Sequence, residues 1–247
     1  ISEIELTVFE LPTIEIQSEA LYCLNTFPET IGLDGGVIND APSNYFYTWS
    51  TGADTAQIEV NTPGIYTVRV TNTNGCFKDR TITVLPSNTA TITAIEIVDA
   101  TQNNTITVFV SGEGDYEYAL DDANGPYQDS NVFQNVLPGL YTIYVRDKNN
   151  CGIVDNLISV IGFPKFFTPN NDSKNDTWEI KGFSTFNPST VVVSIYNRYG
   201  KLLAVLNSSN LRWDGFFNGK VLPTDDYWFT VKLLDGRTFS GHFTLKN

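Results

Sequence analysis

The sequence predicts an all-β chain of tandem β-sandwiches that ends in a smaller sandwich. Three observations carry this. The strand formers Val, Ile, Thr, Tyr and Phe are abundant, and no long stretch keeps a helical period. Short alternating segments are separated by turn sequences such as TNTNG, GADT and DDANGP. A block also recurs: PGIYTVRVTNTNGC (63–76) matches PGLYTIYVRDKNNC (138–151), so that Pro63 and Pro138, like Cys76 and Cys151, stand 75 residues apart.

Taken in order, the opening ISEIELTVFELP (1–12) closes on a proline, as do TITVLP (81–86) and LISVIGFP (157–164). We read residues 1–12 as the last strand of a preceding repeat, and the chain as the end of a longer array. Residues 13–86 and 87–162 are then two repeats. In the first, Tyr45, Tyr47 and Trp49 alternate along one strand, as Tyr116, Tyr118 and Leu120 do in the second. Tyr66 and Tyr141, each shortly after Pro-Gly, either anchor a corner as in immunoglobulin-like domains or pack as ordinary strand residues. Residues 163–247 differ. VVVSIYNRYGKLLAVL (191–206) reads as two strands about a turn, WDGFFNGK (213–220) as a further turn, and YWFTVKLLDGRTFSGHFTLK (227–246) as a hairpin around Asp235-Gly236.

Composition sets bounds. With 247 residues, 41% hydrophobic and 17% charged, the chain is expected to fold. It contains no Met, so residue 1 is read as an internal or processed end. No apolar run approaches the roughly 20 residues that cross a bilayer, so no transmembrane segment is expected. The net charge of -13 divides into -8 for residues 1–86, -8 for 87–163 and +3 for 164–247. Two acidic thirds and a weakly basic one exclude nucleic acid, whose phosphates need dense Lys and Arg.

Candidate chemistry is sparse. Of three Cys, Cys23 and Cys76 bracket the first repeat and are expected to form its disulfide, with Cys151 a free thiol. The single His, His242, has no Cys placed beside it, and no catalytic motif is present. The stretch FFTPNNDSKNDTW (166–178) offers Asn170, Asp172, Asn175 and Asp176 as oxygen ligands for calcium. Lys174 interrupts the pattern, and the default reading is a turn held by its own Asn and Asp side chains.

These residues carry a resemblance. FPKFFTPNNDSKNDTW, IYNRYGKLL, WDGFFNGKVLPTDDYWF and the closing DGRTFSGHFTLKN resemble the type B C-terminal sorting domain of Bacteroidetes, the gliding motility-associated C-terminal domain of type IX secretion substrates. The two preceding units are similar to the immunoglobulin-like repeats that lead up to it in large surface adhesins. The resemblance implies an export signal for the type IX translocon, a PorP/SprF-type outer-membrane barrel as docking partner, and a location at the cell surface. Thr168, Pro169, Asn170, Asp172, Asn175, Asp176 and Trp178 match the family's TPNGDGxND loop. Asn171 and Ser173 stand where that loop has Gly, which argues against a need for glycine conformations. Further candidates for sorting or partner binding are Trp213, Asp214, Gly215, Tyr227, Trp228, His242 and Phe243. The strand GHFTLKN could add its edge to a partner. Asp54-Thr55-Ala56 is similar to the O-glycosylation pattern of the phylum, at Thr55.

The leading expectation is therefore a non-enzymatic surface protein with no cofactor, calcium excepted. The alternatives are a carbohydrate- or protein-binding module of a secreted enzyme, with Tyr45, Tyr47 and Trp49 as a stacking face, and a calcium-stiffened rod.

Overall fold

The computed structural model describes residues 8–183, 191–207, 210–232 and 238–246. Of the strand expected over 1–12, residues 1–7 lie outside the described residues, as does the Asp235-Gly236 turn, and residues 8–12 are described and form no strand. The structure is nearly all β, as the alternation predicts. Two compact units are present, one built on the chain up to Thr93 with Val110–Tyr118 and Val145–Val154, the other on Ala94–Phe109, Ala119–Tyr144 and the chain from Asp155 onward.

In the first unit, β1 (Gln17–Cys23), β2 (Ile31–Asp34), β3 (Tyr45–Trp49), β4 (Gln57–Val60), β5 (Gly64–Asn72) and β6 (Phe77–Ser87) form two layers. One is the sheet β1-β6-β5-β3, the other the β2-β4 pair. Period-two alternation sends Tyr47 and Trp49 of β3, Val68 and Val70 of β5, and Ile82 and Val84 of β6 into the space between them. Trp49 is only 3% exposed, and its indole N–H donates to the Thr55 carbonyl at 2.8 Å. A buried Trp on this strand is an immunoglobulin-like feature, and it removes the sugar-stacking face expected at Tyr45, Tyr47 and Trp49. The Tyr66 hydroxyl donates to the Thr62 carbonyl at 2.8 Å, and Tyr141 does the same to Leu137 at 2.8 Å. The corner reading of both tyrosines is the one adopted.

The second repeat contributes β7 (Thr91–Val98), β8 (Thr105–Ser111), β9 (Tyr116–Leu120), β10 (Val132–Phe133), β11 (Gly139–Asp147) and β12 (Ile153–Val160). They form the sheets β10-β8-β7 and β12-β11-β9. Ile106, Val108, Ile143, Val145 and Val160 are fully buried there.

The disulfide differs from expectation. Cys23 pairs with Cys151 across 128 residues, and Cys76 is the free thiol. The reason is strand direction. β1 runs parallel to β6, with Gln17 opposite Thr81 and Cys23 opposite Ser87. Cys23 therefore lies at the far end of β6, while Cys76 precedes its start. At about 3.3 Å per residue the two are roughly 30 Å apart, far beyond disulfide reach. Cys151, in the turn between β11 and β12, comes to Cys23 instead. Its carbonyl accepts from Asn25 Nδ2 at 3.0 Å and Thr89 Oγ1 at 2.8 Å. The bond staples the first repeat to the turn of the second. Such a staple is worth about 2–4 kcal/mol.

The remaining strands are β13 (Phe166–Phe167), β14 (Trp178–Glu179), β15 (Val192–Tyr196), β16 (Leu202–Leu206), β17 (Arg212–Trp213), β18 (Phe216–Phe217), β19 (Lys220–Val221), β20 (Asp225–Lys232) and β21 (Thr238–Leu245). One sheet has the order β13-β21-β20-β15-β16; β14-β17 and β18-β19 are two-stranded. A core of Phe167, Trp178, Trp213, Tyr227, Phe229 and Phe243, with aliphatic neighbours, packs on the inner face of the large sheet.

Candidate functional site: the entry loop and outer sheet face of the terminal domain

The entry loop is fastened at both ends by aromatic side chains. On β13, Phe167 points into the core and its neighbour Phe166 outward, as strand alternation requires. Lys246 Nζ sits 4.8 Å from the Phe166 ring. At the other end, Trp178 is 0% exposed and its indole N–H donates to the Pro164 carbonyl at 2.9 Å. Trp178 lies opposite Trp213 in the β14-β17 pair and stacks on Phe243, with ring centroids 4.4 Å apart.

Between these anchors the Asn and Asp side chains bind their own backbone. The Asp176 carboxylate accepts from Asn171 N at 2.6 Å and Ser173 N at 2.8 Å. Asp172 Oδ1 accepts from Lys174 N at 2.8 Å, Asp172 Oδ2 from Asn170 Nδ2 at 3.1 Å, and Asn170 Oδ1 from Asp172 N at 3.2 Å. Thr168 N closes the loop onto the Asn175 carbonyl at 2.7 Å. Three of the proposed calcium ligands, Asn170, Asp172 and Asp176, thus point at N–H donors, whose partial positive charge is the reverse of what a cation site needs. Calcium does not fit this arrangement, and no group of three or more His, Cys, Asp or Glu that could hold a metal occurs among the described residues. The glycine expectation is also corrected. Asn171, Ser173 and Asn175 adopt φ of 62°, 67° and 54°, so the loop keeps the left-handed conformations that Gly supplies at no cost.

The remaining sequence candidates divide by burial. Trp213, Tyr227 and Phe243 are core, as is Trp178, and cannot touch a partner in the folded domain. An 80-residue unit needs its large aromatics inside, and this is why partner-binding candidates became scaffold. Tyr227 also donates to the Pro223 carbonyl at 2.8 Å, repeating the four-residue corner of Tyr66 and Tyr141. Asp214 accepts from Phe216 N at 3.0 Å, shaping the turn in which Gly215 (φ 81°) lies so close to Leu245 that a Cβ would come within 2.7 Å of its Cδ1. The terminal strand is less of an edge than expected. Thr244 and Leu245 pair with β13 on one side and β20 on the other.

Trp228 and His242 face outward. They are cross-strand partners with rings 6.2 Å apart, and Trp228 is 40% exposed. The same row continues through Tyr196 on β15 to Leu202 on β16. The next row runs Ser240, Thr230, Ser194, Val205. With Phe166 and Val192, which are also exposed, this makes an aromatic and aliphatic outer face. Sequence reasoning missed its Tyr196, Leu202, Val205 and Val192, although the alternation of VVVSIYNRYGKLLAVL carries the signal. On the β14-β17 pair, burial alone would raise the Glu179 carboxyl. Lys181 at 2.7 Å and Arg212 at 2.6 Å outweigh that and hold it below the ordinary glutamate range.

This geometry defines a compact all-β module with a loop-fastened core and one apolar outer face. Residues 161–245 match the family model of the CHU_C type IX secretion signal domain; the match spans the terminal domain and not the repeats. No curated protein matches. Among solved structures, titin domains I67–I69 align at 13% identity over 97% of this chain and 99% of theirs, with a TM-score of 0.41. The eight N-terminal immunoglobulin domains of Down syndrome cell adhesion molecule align at 13% identity over 98% of this chain and 37% of theirs (TM-score 0.36). Latent PorU from Porphyromonas gingivalis aligns at 14% identity over 93% of this chain and 32% of its own (TM-score 0.24). Alignments this loose carry no inference. The family match supports an export-signal role for the terminal domain, and a signal of that class implies secretion to the cell surface or beyond. Among the described residues, no helix is long and apolar enough to cross a membrane.

Proposed function

We propose that the chain is the C-terminal part of a cell-surface protein of the gliding or adhesin type, without enzymatic activity. Repeats at 13–86 and 87–162 act as spacers, and the domain at 163–247 is the signal read by the type IX translocon. The observation that carries this reading is the family match over residues 161–245. The outer face of Trp228, His242, Tyr196, Leu202 and Val205 is the surface that docks on an outer-membrane barrel of the PorP/SprF type, which keeps the exported protein associated with the outer membrane. Trp228 and His242 support this assignment because they are the aromatic-ring sequence candidates that folding leaves accessible to a partner, whereas Trp178, Trp213, Tyr227 and Phe243 are buried. The loop from Thr168 to Asp176 holds the scaffold under that face. Thr55 is proposed as a glycosylation site; its side chain is exposed, with the hydroxyl donating to the Gln57 carbonyl at 2.6 Å.

The test is to fuse residues 161–247 to a secreted reporter in a type IX-competent host carrying the partner barrel. Reporter at the surface is expected, and reporter held inside the outer membrane would contradict the proposal.

A further inference from the structure

The Cys23–Cys151 staple has a counterpart of which one half is visible. Cys76 and Cys151 occupy the same place in successive repeats, and their turns are built alike. In the first repeat Asn72 Oδ1 accepts from Cys76 N at 2.9 Å and the Asn72 carbonyl accepts from Gly75 N at 3.0 Å. In the second, Asp147 Oδ2 accepts from Cys151 N at 3.2 Å and the Asp147 carbonyl accepts from Asn150 N at 3.0 Å. Gly75 and Asn150, each just before the cysteine, both adopt positive φ, 82° and 64°.

Each turn is also met by chain at the boundary that leads into its own repeat. Ser87 Oγ donates to Asp147 Oδ2 at 2.8 Å and Thr89 Oγ1 to the Cys151 carbonyl at 2.8 Å. At the first turn, Asn72 Nδ2 donates to the Glu10 carbonyl at 2.8 Å, and Cys76 Sγ lies 4.0 Å from the Phe9 carbonyl.

The cysteines are distributed by junction. Where the first repeat meets the second, both halves of a staple are present, Cys23 and Cys151. Beyond the second repeat neither half exists: Ile97, 74 residues after Cys23, is not a cysteine, and residues 164–247 contain none. Ahead of the first repeat one half is present, Cys76, half-buried and free.

We propose that Cys76 is the acceptor half of an inter-repeat disulfide. Its partner is a cysteine at the end of the first strand of a preceding repeat, the place that Cys23 holds in this one. The inference rests on reading the chain as the end of a repeat array. Two thiols lose two protons and two electrons as the S–S bond forms. The electrons pass by thiol–disulfide exchange to the disulfide of a thiol oxidoreductase, which leaves as its dithiol. The same class of oxidant closes Cys23–Cys151. Head-to-tail staples of this kind tie each repeat to the next and stop where the terminal domain begins.

The test uses the natural full-length protein from the cell surface, alkylated in acid before denaturation and digested without reductant. Cys76 is expected in a linked peptide with a cysteine of a preceding repeat, and unalkylated. In Cys76→Ser protein, one new alkylated cysteine should appear in that preceding repeat. Alkylated Cys76 beside an intact preceding repeat would overturn the pairing and leave the array reading standing. A Cys76–Cys76 link between two copies would overturn it likewise. A natural chain with no repeat before residue 13 would overturn the array reading itself.

Discussion

The first repeat and the terminal domain bury the same kinds of residue and differ in the charge around their exposed ones. Both place Trp in the core, Trp49 in one and Trp178 with Trp213 in the other, and both fix a strand start with a tyrosine bonded four residues back. Both expose apolar side chains, Phe46 (66%) and Ile65 (69%) on the repeat and Trp228 (40%) on the terminal domain, and differ in what flanks them. On β5 and β6 of the repeat, Arg69 forms a two-pronged ion pair with Asp79 (2.8 and 3.0 Å) and covers the Phe77 ring at 3.9 Å. On the terminal domain, Trp228, Leu202 and Val205 stand open, interleaved with Ser and Thr. The charge balance differs, with the first repeat (13–86) at -5, the second at -8 and the terminal third at +3.

The widest break in this comparison comes from the cores. Trp49→Ala and Trp178→Ala should each cost about 3–5 kcal/mol, seen as the selective loss of one domain's transition in denaturant unfolding of the full chain. Only Trp178→Ala should abolish export. Next come the features that hold the terminal scaffold. Asp176→Ala frees two backbone N–H groups and should cost about 1–2 kcal/mol. Tyr227→Phe and Tyr66→Phe each lose one corner bond and should cost about 1 kcal/mol, in different domains. Ser173→Gly relieves a left-handed residue and should raise stability by about 0.5–1 kcal/mol; a decrease would contradict the strained-loop reading. The smallest effect is at Glu179 on β14. The Glu179 pKa is depressed on folding, so its contribution is present above the unfolded value of about 4.3 and is lost as pH falls through the lower folded value. Wild type should exceed Glu179→Gln in urea midpoint at pH 7, and the gap should close below about pH 4.

Much of the fold was legible because it rests on short-range pattern. Alternation at Tyr45–Trp49 and Tyr227–Val231 gave the strands and their buried face, and the Pro-Gly-x-Tyr spacing gave the corners. The disulfide was not legible, because it depends on β1 running parallel to β6, a long-range choice that no local pattern encodes. In the loop, residue types gave the Asx turns at Asn170, Asp172 and Asp176. They misled at Asn171 and Ser173, whose backbone N–H groups donate to the Asp176 carboxylate while both residues sit at positive φ. The candidate site was half legible: burial separates Trp228 and His242 from Trp178, Trp213, Tyr227 and Phe243, and aromatic content alone could not.

The most direct test of the central claim is surface delivery by an intact terminal domain with a rebuilt outer face. Trp228→Thr with Leu202→Thr keeps strand propensity on solvent-facing positions and should leave the melting temperature of the terminal domain within a few degrees of wild type. Fused to a reporter, this folded variant should stay inside the outer membrane while wild type reaches the surface. Wild-type delivery by the folded double variant would contradict the outer face as the surface that is read.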